Sequence, residues 1–321
     1  MNFSDFYAGN DDQDRRLDKI IRKMIPENNI SSLYSAIRKG LIKVNDKKQD
    51  INYKIKAGDK VSIASFLISE QKNQTSSEPA NSIHKEIETI FSNDYIRIIN
   101  KPYDISVHGD NGLSEIIESM YKNEKHEDSL AFKTGPLHRL DRKTTGLLAF
   151  SNNQEGAKWF TKAISDKTIK KYYIGIVQGK IINCQEWTDN LIASDSNDSF
   201  YTMKVSTANS ENRAITICIP LAYGNFQKND VTLCQFQILT GKKHQIRCQS
   251  SFHGYPLLGD TAYGGIKLHE KQDMYLHAYR LMIPHDNPIG LPSELTAPVS
   301  HNFNKFLSDL LIKWDCKLII N

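Results

Sequence analysis

Apolar residues recur at helical spacing early in the chain and at strand spacing later. Between Asp14 and Ile25, Leu17, Ile20, Ile21, Met24 and Ile25 fall at i, i+3, i+4, i+7 and i+8. That spacing predicts one amphipathic helix, and Pro26 stops it. Ser31-Ser32 can cap a second helix with Leu33 and Ile37 inward and Gly40 as its end. "LIKVND" then alternates as a strand into a polar turn, and "IKAGDKVSIA" predicts a second strand opened by Gly58-Asp59. Two short helices and a strand pair make a unit of about 55 residues.

"SEQKNQTSSEPANS" has no apolar period and contains Pro79, so it predicts a flexible linker. From Ile83 the pattern changes. "NDYIRIINKP", "LLAFSNN", "KKYYIGIVQGK", "NRAITICIPL" and "DVTLCQFQIL" are runs of β-branched and aromatic residues, expected as strands. "QEGAKWFTKAISDK" and "NFNKFLSDLLIKW" have amphipathic helical spacing. Strands and helices do not alternate strictly, which favours an α+β fold with a mixed, mainly antiparallel sheet and flanking helices. The expected boundaries are 1–68 for the small domain, 69–82 for the linker and 83–321 for the large domain.

Composition changes this picture little. In 321 residues, 39% hydrophobic and 24% charged positions describe an ordinary globular chain. No apolar run approaches a membrane span, and the N-terminus has no apolar segment of a signal peptide. Five cysteines without a CxxC pair fit a reducing cytoplasm rather than a disulfide framework. A monomer in the cytoplasm, away from membranes, is the expectation.

Charge changes it more. Residues 14–48 hold ten lysines and arginines against four acids, in a chain whose total is only +4. Arg15, Arg16, Lys19, Arg22, Lys23, Arg38, Lys39 and Lys43 fall largely on polar positions of the small domain. Charge alone leaves a polyanion-binding surface and a solvated helix face equally open.

Several familiar signatures are missing. "TGKKH" is not a phosphate-binding loop, because Phe236 stands where the first glycine belongs and Lys243 where the magnesium-binding hydroxyl belongs. None of the ten histidines forms HExxH or a His/Cys cluster, so no metal site is expected. Five dense segments remain: "NKPYDISVHG", "HRLDRKTTGLLAF", "KKYYIGIVQG", "TGKKHQIRCQSSFHGYPLLGDTAYG" and "YLHAYRLMIPHDNP". Each places Gly, Pro, His or charge beside an apolar strand, a mixture common at sites. In the second, Asp141 stands among Arg139, Arg142 and Lys143. It reads either as an ionised nucleophile or as a cap on the turn before "RKTTG".

These segments resemble, in order, the motifs of the RluA-type RNA pseudouridine synthases, in particular the RluC- and RluD-like members that carry an N-terminal S4-like RNA-binding domain. The family's HRLDxxTSG stands here as HRLDRKTTG. Its KxYxAxVxG stands as KYYIGIVQG, with Gly175 for Ala. Its TGRxHQIRxH…GxPLxGDxxYG stands as TGKKHQIRCQ…GYPLLGDTAYG, where Lys242 replaces Arg and Gln249 replaces His. The likeness covers nearly the whole chain apart from the linker and the first dozen residues.

The resemblance implies conversion of uridine to pseudouridine in RNA, large-subunit ribosomal RNA before transfer RNA, with no cofactor; the alternative is a non-catalytic RNA-binding protein of ribosome assembly that keeps the fold. It makes Asp141 the catalytic carboxylate and Arg247 its ion-pair partner. Tyr173 becomes the aromatic residue that stacks on the target base and helps remove its proton. The residues alone do not choose between Tyr172 and Tyr173. Arg139 matches a residue thought to fill the space left by a flipped base. Arg142, Lys171 and Leu258 are expected at the substrate, and His138, His244 and His277 as hydrogen-bonded scaffold. Lys242 and Gln249 are expected to shift RNA contacts without removing the chemistry.

Overall fold

The computed structural model describes residues 2–25, 30–69, 87–121, 129–130, 132–194, 202–207, 212–270 and 272–310. The expected linker from residue 70 onward, Pro26, the capping side chains of Ser31 and Ser32, and the C-terminal helix beyond 310 lie outside them.

The small unit opens with a strand absent from the sequence-based expectation, β1 (Phe3–Tyr7), followed by a 3₁₀ turn at Asn10–Asp12. Helices α1 (Leu17–Met24) and α2 (Ile30–Lys39) come next, then β2 (Ile42–Val44), β3 (Lys60–Ala64) and the single turn α3 (Phe66–Ser69). Helix α1 starts three residues later than its pattern suggests, because Asp14 has φ 62° and Arg16 is the extended N-cap. The β3 strand starts at Lys60 rather than Ile55, since Gly58 at φ 85° turns the chain first. An antiparallel sheet ordered β1-β3-β2 covers one side. Leu17, Ile20, Ile21, Ile37, Ile42, Val61 and Ile63 form its core, as the apolar stripe requires.

The large unit runs β4 (Glu88–Ser92), β5 (Ile96–Lys101), α4 (Leu113–Tyr121), β6 (Thr145–Ser151), α5 (Gln154–Ser165), β7 (Lys170–Gln178), β8 (Gln185–Ala193), β9 (Met203–Ser206), β10 (Arg213–Phe226), β11 (Asn229–Ile238), α6 (Gln245–Phe252), β12 (Leu276–Met282), β13 (Glu294–Thr296) and α7 (His301–Asp309). Its sheet has the order β4-β5-β6-β12-β7-β11-β10-β8-β9, with β13 on β12. Among the described residues every strand pairing of this sheet is antiparallel except β6 with β12. The mixed, mainly antiparallel sheet of an α+β fold is therefore what the chain forms.

The parallel contact is short and tight. Thr145 and Gly146 face His277 and Ala278, and the Thr145 hydroxyl lies 2.8 Å from His277 Nδ1. Gly146 has φ 107°, and a Cβ there would lie 2.2 Å from the Ala278 carbonyl oxygen. Gly146→Ala is expected to lower stability by more than about 3 kcal/mol, since strain and a backbone clash add. Gly135→Ala, whose nearest neighbour would be 3.9 Å away, is the control. Urea unfolding of both variants checks this, and equal midpoints would refute it.

Candidate active site

The sheet's alternation decides which side chains reach the site. On β7, Tyr173 and Val177 pack with Phe236, Leu276 and Ala278, whereas Ile174 and Ile176 pack on the other face with Leu233 and Tyr275. Tyr173 therefore points into the cleft and Tyr172 away from it, toward Arg280 at 5.7 Å. Leu258 is a correction. It is fully buried with Ile174, Ile176 and Leu233 on the far face and borders neither hollow of the site.

Two adjoining hollows make up that site. The smaller, about 280 Å³, is lined by residues that include Tyr173, Lys171, Leu276, Ile246 and Lys243. The larger, about 760 Å³, includes Ser106, His108, Arg142, Lys143 and Thr261. Arg139, Leu140, Asp141, His244 and Arg247 border both. Asp141 thus stands where the hollows meet.

The Asp141 side chain does not cap its turn. That turn is closed by the backbone carbonyl of Asp141, which accepts from Thr144 N–H at 3.0 Å. The carboxylate instead faces Arg247 Nη1 at 3.5 Å and His244 Nε2 at 3.8 Å. Arg247 lies on α6, which the sequence pattern does not mark as a helix, and His244 at φ 51° begins it. The nearer partner of Arg247 is Asp260, held by two bonds of 2.7 and 2.8 Å. This fork fixes the guanidinium and leaves Nη1 for Asp141. Burial lowers the guanidinium's proton affinity, but the bonds and charge of Asp260, then the charge of Asp141, more than reverse that. Arg247 is a fixed cation.

The loop carrying Asp141 hangs on a lysine that sequence reasoning missed. Lys101 is fully buried. Its Nζ donates to the carbonyls of Pro102, Arg142 and Thr144 at 3.0, 2.9 and 2.8 Å. Burial pulls the amine down to about 7, while Asp141 and Asp104 pull it back up. Three acceptors use all three protons, so the geometry fits the ammonium. The only sequence signal was a lysine placed between an apolar strand and Pro102.

The other cations divide. Arg142 pairs with exposed Asp104 at 2.9 Å, and Lys143 with Asp273 at 2.7 Å. Tyr103 also binds Asp273, so Asp273 ties the first two dense segments together. Arg139 is exposed and makes no side-chain hydrogen bond or ion pair among the described residues. Lys171 is lowered from its ordinary value by burial. Burial likewise raises the Tyr173 phenol, with Asp141 adding to it, so Tyr173 stays protonated and is a poor base in the resting protein. Gln249 is fully buried. It donates to Asp189 at 2.7 Å and accepts from Thr216 at 2.7 Å, so its departure from the family pattern is a core substitution, not a change of RNA contact.

His138 accepts from Ala149 N–H through Nε2 at 3.1 Å. His277 donates from Nε2 to the Ala297 carbonyl at 3.1 Å and so accepts from Thr145. Both rings are neutral scaffold, lowered chiefly by burial to about 3 and about 4. Unfolded histidine titrates near 6.5, so the stability they contribute is present above that pH and is lost as pH falls toward the folded values. Each should forfeit about 2 kcal/mol between pH 7 and pH 5. Thermal unfolding at the two pH values checks this, and an unchanged midpoint would contradict it.

A carboxylate faces a fixed arginine at the junction of two hollows bordered by arginine and lysine, with a small αα/β unit ahead of it, an arrangement suited to chemistry on a polyanion. Residues 95–252 match the family described as RNA pseudouridylate synthase, and residues 15–61 match the S4 domain. The chain belongs to the RNA pseudouridylate synthase family and carries an S4 domain; it is an isomerase acting on RNA. It is 27% identical over 308 residues to a ribosomal large subunit pseudouridine synthase C of Vibrio vulnificus (strain CMCP6), covering 92% of this chain and 93% of that protein. It is 28% identical over 303 residues to the protein of that name from Rickettsia conorii (strain ATCC VR-613 / Malish 7), covering 91% and 96%. Its fold is similar to human RNA pseudouridylate synthase domain containing 4, with TM-score 0.58 and 20% identity over 73% of this chain and 97% of that one. Human RNA pseudouridylate synthase domain containing 1 gives TM-score 0.53 and 22% identity over the same shares. Among the described residues no helix is long and apolar enough to cross a membrane.

Proposed function

We propose that this enzyme isomerises specific uridines of large-subunit ribosomal RNA, with Asp141 as nucleophile. The observation that supports this best is the Asp141 carboxylate facing Arg247 at the junction of the two hollows. The ribose C1′–N1 bond breaks, a C1′–C5 bond forms, the C5 proton leaves and N1 ends protonated, so product and substrate are isomers. The base must leave its stack to reach Asp141, and Arg139, with no ion-pair partner among the described residues, fits the vacated space. Tyr173 offers its ring as a stacking wall, and Lys171 places charge beside the bound nucleotide.

Residues 1–68 would grip RNA and 83–321 carry the reaction, with 69–82 joining them, in a cytoplasmic monomer. Lys23, Arg38 and Lys39 are exposed and make no ion pair with a carboxylate among the described residues, which suits phosphate contact. Arg16 and Arg22 are partly engaged by buried Asp18 at 3.0 and 3.9 Å. Arg15 lies 3.9 Å from Asp12, and Lys43 lies over the Phe3 ring at 4.7 Å. The test is to map pseudouridines in ribosomal RNA from cells lacking the gene, complemented with wild type or Asp141→Asn. A site lost in the deletion, restored by wild type and not by the variant, is expected. No lost site, or restoration by the variant, would defeat the proposal.

A further inference from the structure

The first dozen residues, which carry no family motif, join the two units. Asp12 is fully buried although it sits on a surface turn of the small unit. Its carboxylate accepts from Gly9 N–H at 3.1 Å within its own turn. It also accepts two donors from the large unit, the Ser129 hydroxyl at 2.8 Å and Leu130 N–H at 2.6 Å. Ser129 Oγ in turn accepts from Phe132 N–H at 2.8 Å, so Asp12 holds the hydroxyl that holds Phe132. Leu130 packs against the core of the small unit. Next door, Asp11 accepts from the backbone N–H of Gln154, the first residue of α5, at 2.9 Å. A buried carboxylate that takes two of these three donors from the other unit is costly to undock, because both of those donors lose their partner.

Ser129, Leu130 and Phe132 lie just before the loop that carries Asp141. Gly135 and Leu137 are hydrogen-bonded to β6 through Ser151 and Ala149, and His138 to Thr144 follow. Burial, then the like charges of Arg15 and Lys133, lower Lys23, so cations of both units come near one another at the joint, with Lys133 also paired to Glu118 at 2.9 Å.

We propose that Asp11 and Asp12 dock the S4 domain rigidly onto the catalytic domain, so that phosphates held by the basic surface are kept at a fixed offset from Asp141. Asp12 is then a positioning residue for target choice. The partner it sets in register is a structured RNA long enough to span both surfaces. This rests on the RNA role proposed above for residues 1–68.

Two variants test it. Asp12→Ala removes the central acceptor. Gln154→Pro removes only the N–H given to Asp11, because proline suits the first helical position and Asn153 before it is already extended. The readouts are amide hydrogen exchange and steady-state kinetics on a transcribed large-subunit ribosomal RNA domain. In wild type the Leu130 and Phe132 amides should be protected. Both variants should expose them, leave β3 amides protected, and raise KM about tenfold with kcat unchanged, the scale of a lost preorganised second contact. A Leu130 amide that exchanges freely in wild type would overturn the docking. Exposed amides with unchanged KM would overturn its role in placing RNA. If Asp12→Ala also loses β3 protection, Gln154→Pro alone decides between these outcomes, because it alters no residue of the small domain. Inactive wild type with a protected Leu130 amide would sink the proposed reaction and not the docking.

Discussion

Asp141→Asn should abolish pseudouridine formation while RNA binding persists. Asparagine keeps the shape and the contact with Arg247, but it cannot attack the ribose. The expected loss in kcat is about four orders of magnitude or more, the scale seen when a covalent nucleophile is removed. Binding should hold or tighten, since a negative charge leaves a cleft that accepts a polyanion. Single-turnover conversion and filter binding on one RNA separate the two effects. A variant within tenfold of wild-type kcat would remove Asp141 from the reaction.

Lys101→Met should weaken both the fold and the reaction. It strips the donor from three carbonyls that have closed around it. Breaking a buried charged network of this kind costs about 3–5 kcal/mol. Arginine should not rescue it, because a planar fork cannot meet three acceptors gathered around one point. At a temperature where the variant remains folded, kcat should fall about 100-fold, as a loosened loop lets Asp141 drift by a fraction of an ångström. RNA affinity should stay close to wild type. A folded variant with normal kcat would make Lys101 purely structural.

Reading the sequence succeeded where pattern and chemistry coincide. The apolar stripe at Leu17–Ile25 and the strands around "IRIIN" and "TLCQFQI" are periodic because they each bury one face or two. Asp141, Tyr173 and Arg247 were legible through ordered motifs, and the structure brings all three to one cleft. Helix α6 was not legible, since polar Gln245, Gln249 and Ser250 are buried and apolar Phe252 is exposed, so no apolar stripe marks a period. Lys101 was not legible because its partners are carbonyls, which any residue supplies. The clamp through Asp11 and Asp12 was hidden for the same reason, two of its donors being backbone N–H groups. Leu258 was misplaced because neighbours on a motif need not share a face.

The parallel pairing of β6 with β12 also sets an order of events during folding. Thr145 and His277 are separated by 132 residues, and the loop holding Asp141 enters directly into β6. Everything between must be made and largely arranged before that hydrogen bond closes, a costly long-range step. The catalytic cleft is therefore a late product of folding, while the short-range S4 helices can form early. Pulse-labelled exchange during refolding should show β6 and β12 amides gaining protection together, after α1 and β3. A nascent chain would then hold RNA before it could modify it.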